Sequence, residues 1–171
     1  MSPQGVDEEA AKRPVARLRR PLPRGVFLVL AVAWAAVIWS LSASPGKRGP
    51  KPFVMRVVWN GGHAAVFAVL SLLLLSGLPA ARAARIAGIA ACVVYGVVDE
   101  WHQSFVPGRA ATVTDWITDT SGAVFGWAVV SLLASLRAPR DDSRRRLVVV
   151  LASGAACVAA ALVATLRDVV L

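Results

Sequence analysis

Charge is what this chain has least of. Charged residues make up 17% of its 171 positions, against roughly a quarter in soluble globular proteins. The shortage is sharpest for acids, with ten Asp and Glu against nineteen Lys and Arg. A water-facing surface is hard to build from that composition, and no stretch reads as a soluble domain. The two cysteines, Cys92 and Cys157, both lie inside apolar runs, where small buried thiols are ordinary packing groups, so they exclude nothing about redox compartment. Only two histidines occur, and neither stands in an HExxH or comparable ligand spacing, so no metal and no cofactor is expected. Equally missing are a nucleophile paired with a base, a phosphate-binding loop, a lipid-phosphatase pattern and any usable internal repeat.

What the chain has in excess is apolar length, at 57% hydrophobic residues. A bilayer core of about 30 Å needs about 20 helical residues to cross it. Runs of that size occur at about 25 to 42, 59 to 78, 84 to 103, 113 to 136 and 147 to 167. The last, "LVVVLASGAACVAAALVATL", carries no charge at all, whereas the third ends on Asp99, Glu100 and His102. The expected fold is therefore all-α, a polytopic membrane helix bundle of about five transmembrane helices. Its parts are a disordered basic tail over 1–24, a four-helix core over 25–136, a basic loop over 137–146 and a fifth helix over 147–171. The first run is longer than a signal-peptide core, yet "SLSASPG" after it leaves cleavage of 25–44 open.

A net charge of +9 would suit nucleic acid only if it formed a basic face on a soluble fold, which this pattern excludes. Thirteen of the nineteen basic residues sit in three gaps: Lys12, Arg13, Arg17, Arg19, Arg20 and Arg24; then Arg82 and Arg85; then Arg137, Arg140, Arg144, Arg145 and Arg146. Flanking Lys and Arg stay cytoplasmic, which places the N-terminus inside and the C-terminus outside a cell membrane. The first loop, with Lys47, Arg48, Lys51 and Arg56, runs against this bias. Trp39, Trp59 and Trp101 fall at the proposed outer boundary, as an aromatic belt would.

Against this background "DEWHQSFVPGRAATVTDWITD", residues 99 to 119, stands out. Pro107 and Gly108 supply a turn. Thr112 followed by Asp115 is a helix-opening signature, with the carboxylate suited to the positive end of the helix dipole. Asp119 lies one turn deeper on the face of Asp115, and Gly122 and Gly126 continue that face, where small residues let a second helix approach. On the preceding helix Tyr95, Asp99, His102 and Gln103 share a face, with Glu100 about a hundred degrees away. Asp99 or Glu100 is positioned to pair with Arg109 across the turn. His63, at the same membrane level, is placed to meet Asp99, Glu100 or His102. Charges inside a membrane are costly and are usually paired or functional. The candidate site is thus His63, Asp99, Glu100, His102, Gln103, Arg109, Asp115 and Asp119, against a structural alternative in which the group is a salt-bridge lock.

"YGVVDEWHQSFVPGRAATVTDWITDTSGAVFG", residues 95 to 126, resembles the signature of the VanZ-like family of small polytopic membrane proteins. The match is closest over 99 to 109; His63 before an apolar helix and "WSLSASPG" extend it. Two positions depart from the family pattern: Trp59 and Asn60 stand where it usually has Asp-Lys, and Asp119 where it usually has Asn. The resemblance implies a cell-envelope membrane protein and, for at least one member, a link to glycopeptide (teicoplanin) tolerance, but no reaction. Three functions are open. One is binding of a lipid-linked cell-wall precursor or glycopeptide-related ligand at the outer leaflet, with Arg109 meeting an anionic group. Another is an intramembrane enzyme with Glu100 or His102 as acid or base. The third is a proton-coupled transporter, for which five helices would require a homo-oligomer. Membrane lipids are expected partners in every case.

Overall fold

The computed structural model describes residues 22–46, 52–137 and 143–170. Five helices follow one another: α1 Arg24–Ser42, α2 Phe53–Gly77, α3 Arg82–Gln103, α4 Val113–Arg137 and α5 Ser143–Val170. No strand occurs among the described residues. The N-terminal tail up to residue 21 and residues 138–142 of the expected basic loop lie outside the described residues, as do Lys47, Arg48 and Lys51, while Arg137 closes α4 and residues 143–146 open α5.

Prolines set several of the boundaries. Pro23 and Pro52 stand immediately before α1 and α2 with φ of −56° and −54°, the ring-locked value from which a helix can start directly. This is why α2 begins at Phe53, six residues ahead of the apolar run that marks it in the sequence. At its other end Leu78 is extended, at φ −82° and ψ 157°, because Pro79 disfavours the helical region for the residue before it.

The helices run alternately up and down. Ser42, at the end of α1, bonds Asp99 near the end of α3, and Arg167 on α5 reaches Thr114 at the start of α4. At the opposite end Arg85 on α3 and Arg146 on α5 both reach Ser131 on α4. One end of the bundle is therefore acidic and the other basic.

The chain is a membrane protein with many of its large apolar residues turned outward, around a smaller buried cluster that includes Ile38, Phe67 and Leu70. Four helices are long and apolar enough to span: Arg24–Ser42, Phe53–Gly77, Val113–Leu136 and Arg144–Arg167, with mean hydropathies of 2.2, 1.7, 1.4 and 2.6. α3 is not among the four. Its 22 residues would reach about 33 Å at 1.5 Å each, but Arg82, Arg85, Asp99 and Glu100 at its two ends dilute its apolar content. Side chains such as Val29, Val32, Val148 and Leu151 are exposed, while the interior holds Ala31, Ala64, Ala123, Ala128, Ala164, Ser71, Thr118 and Thr165. That inversion is expected where lipid removes the hydrophobic drive between helices and close packing of small residues replaces it.

α2 is the hub, touching all four other helices. Its tightest neighbour is α4, and the glycine face explains why: a methyl group added at Gly122 or Gly126 would run into the carbonyl of Ala64 or Ala68. The Ser71 hydroxyl donates to the Ala123 carbonyl at 2.7 Å across the same seam. α1 is fastened by the Trp34 indole on the Val66 carbonyl at 2.9 Å and by the Tyr95 hydroxyl on the Ala35 carbonyl at 2.7 Å. α5 is tied by Asn60 to Thr165 at 3.1 Å.

Candidate functional site

The acidic end is assembled by four helices and one turn. Val106, Pro107 and Gly108 reverse the chain after α3, with Gly108 at φ +78°, a conformation glycine adopts without strain. Gly46 donates to the Pro107 carbonyl at 3.1 Å, and a methyl group on Gly46 would strike Gly108. The segment after α1 and the turn after α3 therefore pack backbone on backbone. α4 opens as its sequence suggests, with the Asp115 amide donating to the Thr112 hydroxyl at 3.1 Å. Asp115 itself stands half-buried in the first turn.

Three carboxylates are buried inside this frame: Asp99, Glu100 and Asp119 are 1%, 7% and 1% exposed. Asp99 Oδ2 accepts from the Ser42 hydroxyl at 2.9 Å and from the Gln103 amide at 2.8 Å, while Oδ1 has no partner. Glu100 Oε2 accepts the Thr112 amide at 2.8 Å, and Oε1 takes a longer 3.4 Å bond from Gln103. His63 Nδ1 lies 3.1 Å from Asp119 Oδ1, and Asp119 Oδ2 has no partner. With His63 protonated the two form an ion pair.

Both Asp99 and Glu100 are enclosed although they point about a hundred degrees apart. The reason is that the end of α3 is wedged between α1, which supplies Ser42, and the start of α4, which supplies the Thr112 amide. The structure thus brings His63, Asp99, Glu100, Gln103 and Asp119 together. His102 is not among them: its ring stacks on Trp39 with centroids 3.8 Å apart. Arg109 pairs with neither Asp99 nor Glu100. It donates instead to the Ser44 carbonyl at 3.1 Å and the Leu41 carbonyl at 3.0 Å, because the packed turn delivers it to the carbonyls at the C-terminal end of α1. Sequence reasoning also missed Ser42. The signal for it was a hydroxyl at the last turn of an apolar run, which by itself suggests only a helix end.

A cavity of about 340 Å3 opens beside these groups between α1, α2 and α3. Ser42, His63, Asp99 and Arg109 give it polar faces, and Ile38, Leu41, Val58, Val66 and Phe67 give it apolar ones. Leu41, Val58 and Trp59 also belong to the outward surface of the bundle. Its mouth therefore opens on the outward apolar surface of the bundle. Next to it His63, Glu100 and Asp119 each offer one ligand atom within 4.8 Å of the others, a set drawn from three helices that no linear spacing in the sequence displays.

Residues 26–134 match the model of the VanZ/LLP1 family. No curated protein and no solved structure matches the chain. The family match takes in α1 to α4 and every residue of the acidic end except those that α5 contributes. The chain belongs to the VanZ/LLP1 family.

Proposed function

We propose that this VanZ/LLP1 membrane protein binds a phosphate-bearing lipid of the cell envelope, in the class of lipid-linked cell-wall precursors, in the cavity between α1, α2 and α3. The observation that carries the reading is the juxtaposition within one cavity of Asp99, whose buried Oδ1 has no hydrogen-bond partner, and the Arg109 guanidinium, over apolar walls bordering the lipid. An unpartnered carboxylate oxygen calls for a hydroxyl or ammonium donor. A guanidinium with N–H groups to spare calls for a phosphate. The walls call for a hydrocarbon chain. A sugar-phosphate lipid combines all three.

Binding is favoured over acid–base chemistry by Glu100 and His102 because neither lines the cavity; one is held by Thr112 and the other by Trp39. The arginine bias supports an outward orientation of this end, the side on which such lipids are displayed and glycopeptides act. A change in teicoplanin tolerance is then the expected cellular consequence of occupancy. The test is native mass spectrometry of protein extracted in mild detergent. A phosphate-containing lipid adduct is expected on the wild type and lost in Asp99→Asn and in Arg109→Gln. Wild-type protein that carries no such adduct, or variants that carry it equally, would sink the reading.

A further inference from the structure

We propose that His63, Glu100 and Asp119 form a binding site for one divalent transition-metal ion of the zinc or manganese class. Their ligand atoms lie within 4.8 Å of one another. Bonds of about 2.1 Å to a common metal place such atoms roughly 3 to 4 Å apart, so small side-chain rotations suffice. The three residues come from α2, α3 and α4, and the α2–α4 seam beneath them is locked by Gly122 against the Ala64 backbone.

Charge points the same way. Asp99, Glu100 and Asp119 are buried together, and among the described residues no Lys or Arg forms an ion pair with any of them; His63 alone does so. Carboxylates gathered away from water without compensation are unfavourable. Asp119 Oδ2, on a side chain 1% exposed, has no hydrogen-bond partner. A divalent cation would balance the charge of its two carboxylate ligands, Glu100 and Asp119, and offer the unpartnered Asp119 oxygen a partner. The donor set selects the class: an imidazole suits zinc and other transition metals, two carboxylates suit harder ions, and no thiolate is offered.

The surrounding bonds are those a metal site needs to hold its ligands in place. Thr112 and Gln103 fix both oxygens of Glu100, and Gln103 also reaches Asp99. The site does not depend on lipid occupying the neighbouring cavity, so each idea can fail without the other.

The full chain, purified in detergent, stripped with EDTA and dialysed against Zn2+ or Mn2+ alone, should retain about one metal ion per chain by elemental mass spectrometry. Glu100→Gln and Asp119→Asn keep side-chain shape and should each weaken binding more than about 100-fold, while Gln103→Ala, which removes a supporting bond, should weaken it about 10- to 100-fold. Pulsed electron paramagnetic resonance on the Mn2+-loaded wild type should show a directly bound imidazole nitrogen, which His63→Ala removes. No retained metal would mean that protonation alone resolves the buried carboxylates, and the proposal falls. Metal held equally by wild type and both ligand variants, or no nitrogen coupling in the wild type, overturns it as well.

Discussion

The two ends of the bundle gather charge of opposite sign and handle it in opposite ways. At the basic end Arg82, Arg85, Arg145 and Arg146 ring a cavity of about 820 Å3 between α3, α4 and α5, lined by no carboxylate among the described residues. All four are exposed or half-exposed, and the bonds that the cavity provides go to Ser131. At the acidic end the carboxylates are nearly inaccessible and are held by Ser42, Gln103, Thr112 and His63. A guanidinium on a long apolar stem can stretch to the interface and keep its head in water. An aspartate has no such stem, so one set between packed helices must find partners where it is. Exposed charge at the arginine end is thus ordinary interfacial chemistry, while the buried carboxylate oxygens without a hydrogen-bond partner at the acidic end are the groups that the proposed ligands would satisfy.

The largest expected effect is all-or-none and concerns which end faces out. A cysteine at exposed Ser104 should react with an impermeant maleimide in intact cells, and one at exposed Ala80 should react only after permeabilisation. The reverse pattern would exchange the two ends.

Next comes Gly122→Leu, which forces a side chain into the Ala64 carbonyl and should abolish the monodisperse peak in size-exclusion chromatography by separating α2 from α4. Leucine at the half-buried Val124 should leave that peak intact. If Val124→Leu is the damaging change, the buried face of α4 has been taken the wrong way round.

Stability should then separate the two charge clusters. Asp99→Ala strands the Ser42 and Gln103 donors and should cost about 1–3 kcal/mol in detergent unfolding. Arg85→Ala, whose one bond is 3.5 Å long, should stay within about 0.5 kcal/mol. Equal costs would erase the contrast between the two ends. The smallest effect expected at the acidic end is that of Trp39→Ala, which removes the stacking on His102, worth about 0.5–1.5 kcal/mol beyond burial, and should leave lipid and metal retention unchanged.

Much of the fold is legible residue by residue. The Pro107–Gly108 turn marks a boundary by local sterics, Thr112 marks the start of α4 by its hydroxyl, and Gly122 and Gly126 mark the packed face by their lack of a side chain, whereas the start that Pro52 gives α2 lies ahead of the apolar run and is missed by sequence reasoning. Each of these signals is carried by the residue itself or by neighbours within one turn. The gathering of polar residues at one end is legible too, because it follows from where the apolar runs stop.

What the sequence by itself determined, then, is a five-helix membrane chain with an acidic and a basic end and a tight glycine face on α4, all consequences of backbone sterics and of the cost of polar groups in hydrocarbon. Which polar groups meet was decided only by tertiary structure. His63 finds Asp119 and not its nearer-looking candidates on α3, Arg109 caps α1 and leaves the carboxylates alone, and Asp99 takes its donor from Ser42, 57 residues away. The physical reason is that partnership across helices depends on the rotation and depth of each helix against its neighbours. Those are set by the Gly122–Ala64 contact and by the packing of Gly46 on Gly108, which no periodicity within a single helix encodes.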